Sequence, residues 1–335
     1  MKLWEQILEA MQSEKEAYLS GEELAVRFGV TRAAVWKAVE ALRKQGYEVD
    51  AVPKKGYRLS GNYDVLSPEN IRSFLRTEYP FQLVCLDSVG STNRTLKDMF
   101  GAEGADGTVL LAGQQTAGRG RLGRSFFSPA GVGLYMSILL RPLLPLSQVS
   151  RLTTMAAVAT ALAIEELTGR HVDIKWVNDL LMEGKKVCGI LAEAAMNVEN
   201  GRLDCVIVGI GVNIRPPAEG YPPELQRIVG SLYAGEPAVP NARSHLAALI
   251  LDHFADLYRH REPEYCFNAY RERSFLLGKP INVLYPDGSH SPATALGLDE
   301  DYGLWVRFAD GRETKLNSGE VSIRPEQGEA VVQGG

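Results

Sequence analysis

In the first sixty residues, hydrophobic positions recur at helical spacing and then alternate as they do in strands. Ser20 and Glu23 form a capping box that begins one short helix, and Thr31 caps a second helix predicted from Arg32 to about Gln45. A turn that contains glycine joins the two helices, which predicts a helix-turn-helix. Alternating segments on either side of Pro53-Lys54-Lys55 predict a hairpin with a basic tip, so we expect a winged helix.

The central part of the chain changes repeatedly between helical and strand patterns. Helices are predicted from Ser67 onward and over 94–100, 149–167 and 241–260, and strands over 83–87, 109–112, 133–140, 172–177, 187–193 and 204–213. Asn200-Gly201 is typical of a tight hairpin turn between the last two strands. This order predicts an α+β body with a mixed, largely antiparallel β-sheet and packed helices.

Short strands separated by turns dominate the chain from about residue 271. They are predicted over 281–285, 293–298 and 303–308, with turns at Asp287-Gly288, Asp299-Glu300-Asp301 and Asp310-Gly311. This pattern predicts a small β barrel of roughly fifty residues. We therefore expect three domains, at 1–62, 63–270 and 271–326, which suits a length of 335 residues.

The composition excludes several functional classes. Hydrophobic residues make up 45% of the chain, charged residues 23%, and the net charge is -5, so the whole chain is not a nucleic-acid-binding polycation. The four cysteines include no C-x-x-C pair, which favours reduced thiols over disulfides or a zinc site. The acidic N-terminus is unlike a signal peptide, and no apolar run approaches the ~18 residues of a membrane span. We expect a cytoplasmic protein.

Charge is unevenly distributed within the first domain. Residues 1–26 carry two basic and six acidic side chains, whereas residues 27–58 carry eight basic and three acidic ones. Positive charge therefore lies on the second helix and the wing, where DNA phosphates would lie. The candidate DNA-binding residues are Ser20, Thr31, Arg32, Ala33, Trp36, Lys37, Lys54 and Lys55. A winged helix used for protein contacts is the alternative.

Three arginines and three glycines interleave from Gly118 to Arg124, the stretch that we call the arginine loop. Glycine lets the backbone approach a ligand closely, and arginine offers a planar fork of donors for phosphate or carboxylate oxygens. We interpret it as a cationic loop that closes on an anion; a solvated basic turn is the simpler alternative. Its spelling also fits the dinucleotide fingerprint G-x-G-x-x-G, but Phe126–Gly131 does not begin a helix and no acidic residue lies near Arg141.

Small polar residues and glycines mark two further places. Ser91-Thr92-Asn93 stands at a strand-to-helix junction, where these side chains either cap the helix or bind a polar ligand. Gly209 and Gly211 interrupt a buried strand, which indicates either a bulge or a ligand lying against the backbone.

A predicted hairpin supplies further candidates. Lys175 and Lys186 bracket the hairpin, which carries Asn178 and Asp179. A lysine in this place can lie over a carboxylate and a phosphate together, although a lone lysine in a turn is usually solvated.

Several of these segments resemble the signature sequences of biotin protein ligases. They are Ser91-Thr92-Asn93, Gln115–Arg121, Lys175–Asp179, Lys186–Leu191 and Val208–Asn213. With the helix-turn-helix in front, the chain resembles the bifunctional bacterial form, which ligates biotin and represses the biotin operon. The resemblance implies a class II synthetase-like central domain and an SH3-like C-terminal β barrel. Val177 departs from the proline usual in the family, and the proline-rich segment 215–231 stands where the family has a variable ligand-covering loop.

The resemblance implies that the biotin carboxylate attacks the α-phosphate of ATP to form biotinyl-5′-AMP, from which biotin passes to a lysine of a carboxylase. It implies catalytic roles for Arg119, Arg121, Lys186 and Asp179. Biotin would contact Ser91, Thr92, Asn93, Gln115, Arg119, Gly120, Arg121, Lys186, Gly189 and Gly209, and ATP would contact Arg119, Arg121, Arg124, Lys175, Asn178 and Asn213. Mg²⁺ would bridge phosphate oxygens, without dedicated metal ligands on the protein.

The implied partners are the biotin-acceptor domain of acetyl-CoA carboxylase or a related carboxylase, operator DNA, and a second copy of the chain when biotinyl-5′-AMP is bound. No membrane partner is expected. Two other functions stay open. A transcription factor that senses a small ligand without ligase activity would need neither Lys186 nor Asp179 for chemistry. A lipoate-type ligase would use a related body, but the spelling of the arginine loop fits biotin better.

Overall fold

The computed structural model describes residues 2–14, 17–44, 46–59, 63–101, 103–142, 145, 148–196, 203–237, 239–285, 287–317 and 320–323. The chain forms two compact units, one of residues up to 66 with 236–244, the other of residues 67–235 with those from 245 onward. The predicted turn at Asn200-Gly201 lies outside the described residues. None of the described helices combines the length and the apolar character that crossing a bilayer requires.

The first unit is a winged helix-turn-helix, as the sequence predicts. Helices α1 (Leu3–Ser13), α2 (Gly21–Phe28) and α3 (Arg32–Lys44) precede an antiparallel hairpin of β1 (Val49–Val52) and β2 (Gly56–Leu59). The backbone N–H of Glu23 donates to Ser20 Oγ at 3.0 Å, and Gly29 ends α2 in the left-handed conformation. The hydrophobic core of the first unit includes the fully buried Ile7, Leu24, Val35, Val39 and Leu42.

Residues 236–244 complete the first unit, although they are distant from it in the sequence. Arg243 donates to the Asp64 carboxylate from Nε at 2.6 Å and from its backbone nitrogen at 3.1 Å. Asn241 Oδ1 accepts a hydrogen bond from the backbone of Val65 at 3.0 Å. The segment that follows the wing is therefore held by side chains that no local sequence pattern connects with it.

The second unit is built on a seven-stranded mixed sheet. Its strands are β3 (Gln82–Leu86), β4 (Thr108–Ala112), β5 (Gly133–Leu140), β6 (Asp173–Lys175), β7 (Asp179–Met182), β8 (Lys185–Met196) and β9 (Leu203–Asn213), in the order β3-β4-β5-β9-β8-β7-β6. Strands β3 and β4 are parallel, and all other neighbours are antiparallel. The prediction of a mixed, largely antiparallel sheet is confirmed.

Five helices accompany this sheet. They are α4 (Pro68–Phe74), α5 (Thr92–Phe100), α6 (Val149–Thr168), α7 (Ala242–Arg259) and α8 (Pro263–Glu272). Helix α5 packs against β4, β5 and β9, and the alanine-rich α6 packs against β6 to β9 and ends at Gly169, whose φ is 68°. Helix α8 was not predicted, although Pro263 at its first position and Glu264 in its first turn are helix-start signals.

The C-terminal strands form a separate antiparallel sheet. They are β10 (Pro280–Leu284), β11 (His290–Leu298), β12 (Leu304–Phe308), β13 (Glu313–Leu316) and β14 (Glu320–Ile323), in the order β13-β12-β11-β10-β14. The first three match predicted strands, whereas β13 and β14 were not predicted. Within the described strands, the edges β13 and β14 do not pair with each other, so the sheet does not close into a barrel.

Candidate active site

A cleft of about 870 Å³ in the second unit brings the predicted site residues together. It is lined by the arginine loop, the start of α5, the β7–β8 hairpin and the middle of β9. Every residue that the sequence suggested for catalysis or biotin binding lines this cleft, together with Arg124, Lys175 and Asn178 of the suggested ATP set. A concave surface on which a few polar and charged side chains converge is typical of a small-molecule binding site.

Asn213 is the predicted residue that the structure does not bring to the cleft. It is buried at the end of β9, its Nδ2 donates to Gly230 O at 3.2 Å, and its carbonyl accepts from Leu232 N at 3.0 Å. Strand periodicity places Asn213 on the same face as Gly209 and Gly211, which line the cleft. The side chain nevertheless holds the segment that follows β9, and only the tertiary pairing shows this.

Two side chains of the arginine loop reach across to other elements. Arg121 Nη1 donates to Asn178 Oδ1 at 2.9 Å, and Arg119 Nη1 lies 3.4 Å from Glu193 Oε1. The loop turns sharply over Arg121–Gly123, where Leu122 and Gly123 have φ values of 55° and 77°. Arg121 is held across the cleft by Asn178, whereas Arg119 stays 55% exposed beside Glu193.

Lys186 and Asp179 form an ion pair on the β7–β8 hairpin. Lys186 Nζ lies 2.9 Å from Asp179 Oδ1, and the two side chains are only 15% and 17% exposed. Asn178, next to this pair, donates from Nδ2 to Ile190 O at 2.8 Å while its Oδ1 accepts from Arg121. The hairpin thus presents a lysine, a carboxylate and an oriented amide to one side of the cleft.

The proline-rich segment 215–231 runs beside Lys186. Lys186 N donates to Ile228 O at 2.8 Å, and Gly230 N donates to Lys186 O at the same distance. Nearer its start, the ring of Tyr221 meets the ring of Phe127, which follows the arginine loop, edge to face at 6.4 Å. The segment whose contacts the sequence left unassigned therefore contacts the backbone of Lys186 and the ring of Phe127, although none of its residues lines the cleft.

A network of uncharged polar side chains forms another part of the cleft. Gln115 Oε1 accepts from Thr92 N at 2.8 Å and from the Thr92 hydroxyl at 3.1 Å. Ser137 Oγ, fully buried on β5, lies 2.7 Å from both Thr92 Oγ1 and Asn93 Oδ1. Asn93 Nδ2 donates to Glu193 Oε2 at 2.8 Å. These bonds orient the amide and hydroxyl groups before any ligand arrives.

The capping alternative for Ser91 is wrong. Ser91 does stand at the N-cap of α5, but its side chain makes no capping hydrogen bond. It lines the cleft beside Thr92 and Asn93, so this junction contributes side chains to the site instead of satisfying the helix end.

The strand glycines make room for neighbouring side chains. A Cβ on Gly209 would lie 2.3 Å from Asn93 Oδ1, and one on Gly211 would lie 2.5 Å from the Phe126 ring. The same ring lies 3.2 Å from the Cβ position of Gly189. The bulge alternative does not apply, because the β8–β9 register is continuous from Cys188 to Ala195. Close approach of side chains explains these glycines.

The sequence reasoning missed several residues of the site. They include Ser125, Phe126, Ile190, Leu191, Ile210 and Val321, which line the cleft, and Ser137 and Glu193, which bond to residues that line it. Ser137 is the one small polar side chain in a buried strand of large hydrophobic residues, and that contrast could have drawn attention to it. Phe126 lies two residues after the arginine loop, but its position beside Gly189 and Gly211 depends on the folded chain.

The charge of the cleft favours anions. Arg119, Arg121, Arg124, Lys175 and Lys186 line it, whereas Asp179 is the one acidic group among the described residues that do so. A concave surface lined mainly by one sign of charge attracts ligands of the opposite sign. Burial, together with the nearby Asp179 carboxylate, raises the pKa of the Cys188 thiol, so this cysteine is a packed neutral group and not a nucleophile.

The candidate DNA-binding residues occupy the first unit. Arg32, Ala33, Trp36 and Lys37 are exposed on α3, with Trp36 54% accessible, and Lys54 and Lys55 are exposed at the tip of the wing. Ser20 and Thr31 cap α2 and α3 by accepting from backbone amides. The structure therefore separates six exposed candidates from two residues with helix-capping roles.

Comparison with known proteins supports a two-part chain. Residues 85–213 match the Biotin/lipoate A/B protein ligase family, and residues 4–58 match an HTH domain. The bifunctional ligase/repressor BirA of Bacillus spizizenii is 42% identical over 325 residues, which cover 95% of this chain and 97% of that protein. This chain belongs to the bifunctional ligase/repressor BirA family. The Escherichia coli BirA is 28% identical over 308 residues, covering 91% of this chain and 92% of that protein.

A solved structure is also similar. The biotin protein ligase from Aquifex aeolicus in complex with biotin and ATP has a TM-score of 0.59 at 29% identity, covering 72% of this chain and 98% of that one. The HTH match falls within the first compact unit and the ligase match within the second, so the BirA family's pairing of repressor and ligase coincides with the observed units.

Proposed function

We propose that this chain is a biotin protein ligase and a DNA-binding repressor of biotin synthesis genes. It activates biotin with ATP to biotinyl-5′-AMP, transfers biotin to a carboxylase lysine, and uses biotinyl-5′-AMP as corepressor. One observation carries the ligase assignment: Arg119, Arg121 and Lys186 line the same cleft as the neutral network of Thr92, Asn93 and Gln115. Such a cleft fits a ligand that is anionic at one end and uncharged but polar at the other.

The neutral network is the proposed subsite for the biotin ring system. A cyclic urea has two N–H donors and one carbonyl acceptor, which hydroxyl and amide side chains can match. Ser91, Thr92, Asn93, Gln115 and Gly209 lie where the ring would be held. The carboxylate end would then point toward Arg119, Gly120, Arg121, Lys186 and Gly189, which line the cationic part of the cleft.

The first reaction joins two anions, so its main difficulty is electrostatic. An oxygen of the biotin carboxylate bonds to the α-phosphorus of ATP, and the bond from that phosphorus to the β-bridging oxygen breaks, releasing pyrophosphate. Arg119, Arg121 and Lys186 reduce the repulsion and stabilise the charge of the transition state. Their internal partners, Glu193, Asn178 and Asp179, hold the cations in place until substrate oxygens replace them.

ATP would lie along Arg124, Lys175 and Asn178, with Arg119 and Arg121 at its α-phosphate. Asn213 would affect ATP binding only indirectly, because its side chain bonds to Gly230 and so holds the segment that follows β9. No group of three or more His, Cys, Asp or Glu in the described part of the chain could hold a metal. The nearby oxygens of Asn178 and Asp179 nevertheless fit Mg²⁺, which usually binds through one or two protein oxygens plus substrate phosphates and supplies charge neutralisation.

The second reaction consumes the mixed anhydride. The amine of the acceptor lysine bonds to the biotinyl carbonyl carbon, the bond to the phosphate oxygen breaks, and AMP leaves. Asp179 is placed to take a proton from that amine once substrate has drawn Lys186 away from it. The arginine loop would cover the anhydride and exclude water. The acceptor is the biotin-acceptor domain of acetyl-CoA carboxylase or a related carboxylase.

Several finer assignments belong to the same proposal. The second copy of the chain would bind when biotinyl-5′-AMP is present, and the protein would act in the cytoplasm. The division into 1–62, 63–270 and 271–326, the class II synthetase-like description of the central domain and the SH3-like description of the C-terminal sheet also remain proposals. Consecutive edge strands β13 and β14 are the pair whose contact would close that sheet.

Biotin-dependent exchange of pyrophosphate into ATP tests the ligase assignment. The wild type should catalyse exchange with biotin and Mg²⁺, and Lys186→Ala should slow it because one neutralising cation is lost. Exchange that is absent despite biotin binding would favour the sensor alternative, and exchange supported by lipoate but not biotin would favour the lipoate-type ligase.

Gel-shift titration with the candidate operator tests the repressor assignment. Addition of biotin and ATP should increase the affinity for operator DNA, since biotinyl-5′-AMP is the proposed corepressor. An affinity that does not respond to biotinyl-5′-AMP would contradict the coupling, and failure to bind DNA in either condition would favour the use of the winged helix in protein contacts.

A further inference from the structure

The segment that carries Asn178 and Asp179 is held by residues from the C-terminal third of the chain. Ile174 N donates to Arg273 O at 2.7 Å, and Phe275 N donates to Ile174 O at 2.9 Å. These backbone bonds attach the start of the segment to the residues directly after α8. Trp176 and Val177 immediately precede Asn178, and other contacts fix their orientation.

Tyr270 supplies one of these contacts. Its hydroxyl donates to Val177 O at 3.1 Å from a ring on α8 that is fully buried. Burial raises the pKa of this phenol above its ordinary value, so Tyr270 stays protonated and remains a donor. The carbonyl that it binds belongs to the planar peptide unit ending at Asn178 N, so its direction sets how the chain enters Asn178.

Tyr302 supplies another contact through its backbone. Trp176 Nε1 donates to Tyr302 O at 2.8 Å, and the Tyr302 ring meets the Tyr270 ring edge to face at 5.3 Å. The turn that bears Tyr302 is held by Asp299, which accepts from Gly303 N at 2.8 Å and pairs with Lys315. The C-terminal sheet and α8 thus converge on adjacent residues of the active-site segment.

We propose that Tyr270 is a positioning residue for adenylate formation: its hydroxyl fixes the Val177 carbonyl and so directs Asn178 toward Arg121 and Asp179 toward Lys186. The proposal rests on the proposed ligase function. It gives Tyr270 and the turn at Tyr302 a role in the first reaction, although neither residue lines the cleft. The proposed biotin-ring subsite lies at the start of α5, at Gln115 and on β9, so it does not depend on this support.

Tyr270→Phe tests the proposal, because it removes one hydroxyl and keeps the buried ring. We expect kcat of biotin-dependent pyrophosphate exchange to fall between about 10- and 100-fold, since misplacement of reacting groups by about an ångström has effects of this size. The Kd for biotin, measured by titration calorimetry without ATP, should stay within about twofold of wild type. Rates are expressed per biotin-binding site, so any misfolded fraction does not lower them.

Tyr79→Phe is the matched control. It also removes a tyrosine hydroxyl that donates a hydrogen bond, here to a carboxylate, from Tyr79 to Asp106 Oδ2 at 2.6 Å, and neither residue lines the cleft. Wild-type exchange in this control, with slow exchange and intact biotin binding in Tyr270→Phe, supports the positioning role. Wild-type kcat and KM for ATP in Tyr270→Phe would overturn it, as would equal losses in both variants or a parallel loss of biotin affinity. Lack of exchange in the wild type would instead refute the ligase assignment.

Discussion

Gly209→Ala probes the close packing beneath the proposed biotin site. The added Cβ would lie 2.3 Å from Asn93 Oδ1, well inside contact distance. Asn93 has a short, buried side chain that bonds to Leu191 O at 3.2 Å and Glu193 at 2.8 Å, and Ser137 Oγ lies 2.7 Å from its Oδ1. It cannot yield by about an ångström without weakening these bonds, so the substitution should disturb the network rather than the strand.

The magnitude follows from the number of bonds. Three hydrogen bonds contribute about 0.5–1.5 kcal/mol each, or about 1.5–4.5 kcal/mol in total. Replacing glycine by alanine in a compatible backbone stabilises by about 0.4–1 kcal/mol through the unfolded chain. We therefore expect a net loss of about 0.5–4 kcal/mol in the free energy of unfolding. A loss of about 1–2 kcal/mol in the free energy of biotin binding would raise the Kd for biotin by about 5- to 30-fold.

Urea denaturation and titration calorimetry with biotin measure both quantities. Gly297→Ala is the control, because Gly297 also lies in a strand, β11, and an added Cβ there meets nothing within 4 Å. The control should be as stable as wild type or slightly more so, with unchanged biotin affinity. If Gly209→Ala matched this control in stability and in biotin affinity, the argument that Asn93 is held rigidly against β9 would be wrong.

Three other predictions concern the remaining features. Arg119→Ala should shorten the lifetime of bound biotinyl-5′-AMP about tenfold or more in a filter-retention assay, because a covering cation is lost; unchanged release would remove Arg119 from this role. Arg32→Ala and Lys37→Ala should each lower the slope of log affinity for operator against log salt by about 1, and unchanged slopes would mean that neither contacts phosphate. Burial alone would raise the pKa of Glu165, but its bonds with Arg273 and a backbone amide outweigh this and lower it below 4.5. The ionised Glu165 therefore stabilises the fold above its ordinary pKa, and this contribution is lost as the pH falls through the lowered pKa, so Glu165→Gln should lower the urea midpoint more at about pH 7 than at about pH 3. Equal losses at the two pH values would contradict the assignment.

Local signals explain why the first unit was predicted well. The capping of α2 by Ser20, its end at Gly29 and the cap of α3 at Thr31 each involve residues within a few positions of one another. Such signals need no tertiary knowledge. Residues 236–244 belong to the same unit through the Arg243–Asp64 pair, and nothing in either stretch alone indicates the other.

The difference between local sequence signals and contacts between distant residues also explains which parts of the candidate site were predicted. The arginine loop was found because three arginines interleave with three glycines, and Lys186 because its predicted hairpin carries Asn178 and Asp179. Asn213 was assigned to ATP from the family resemblance, yet its amide bonds to Gly230 in the segment that follows the strand. Ser137 and Tyr270 were missed because each looks like an ordinary core residue until its partner from another element is known. Short polar strands such as β13 have weak patterns and depend on their neighbours in the sheet.

Glu193 connects the two halves of the proposed substrate site. One carboxylate oxygen accepts from Asn93 in the neutral network, and the other lies 3.4 Å from Arg119 in the cationic loop. In the proposed function, a substrate carboxylate or phosphate that takes Arg119 would remove one partner from Glu193 and leave Asn93 as its other one. Biotin and the adenylate phosphate would then not be bound by independent sets of groups, and occupation of one part would change the free energy of binding at the other. This shared carboxylate is a physical reason to expect the loop to close fully only when ring, carboxylate and phosphate belong to one molecule, as they do in biotinyl-5′-AMP.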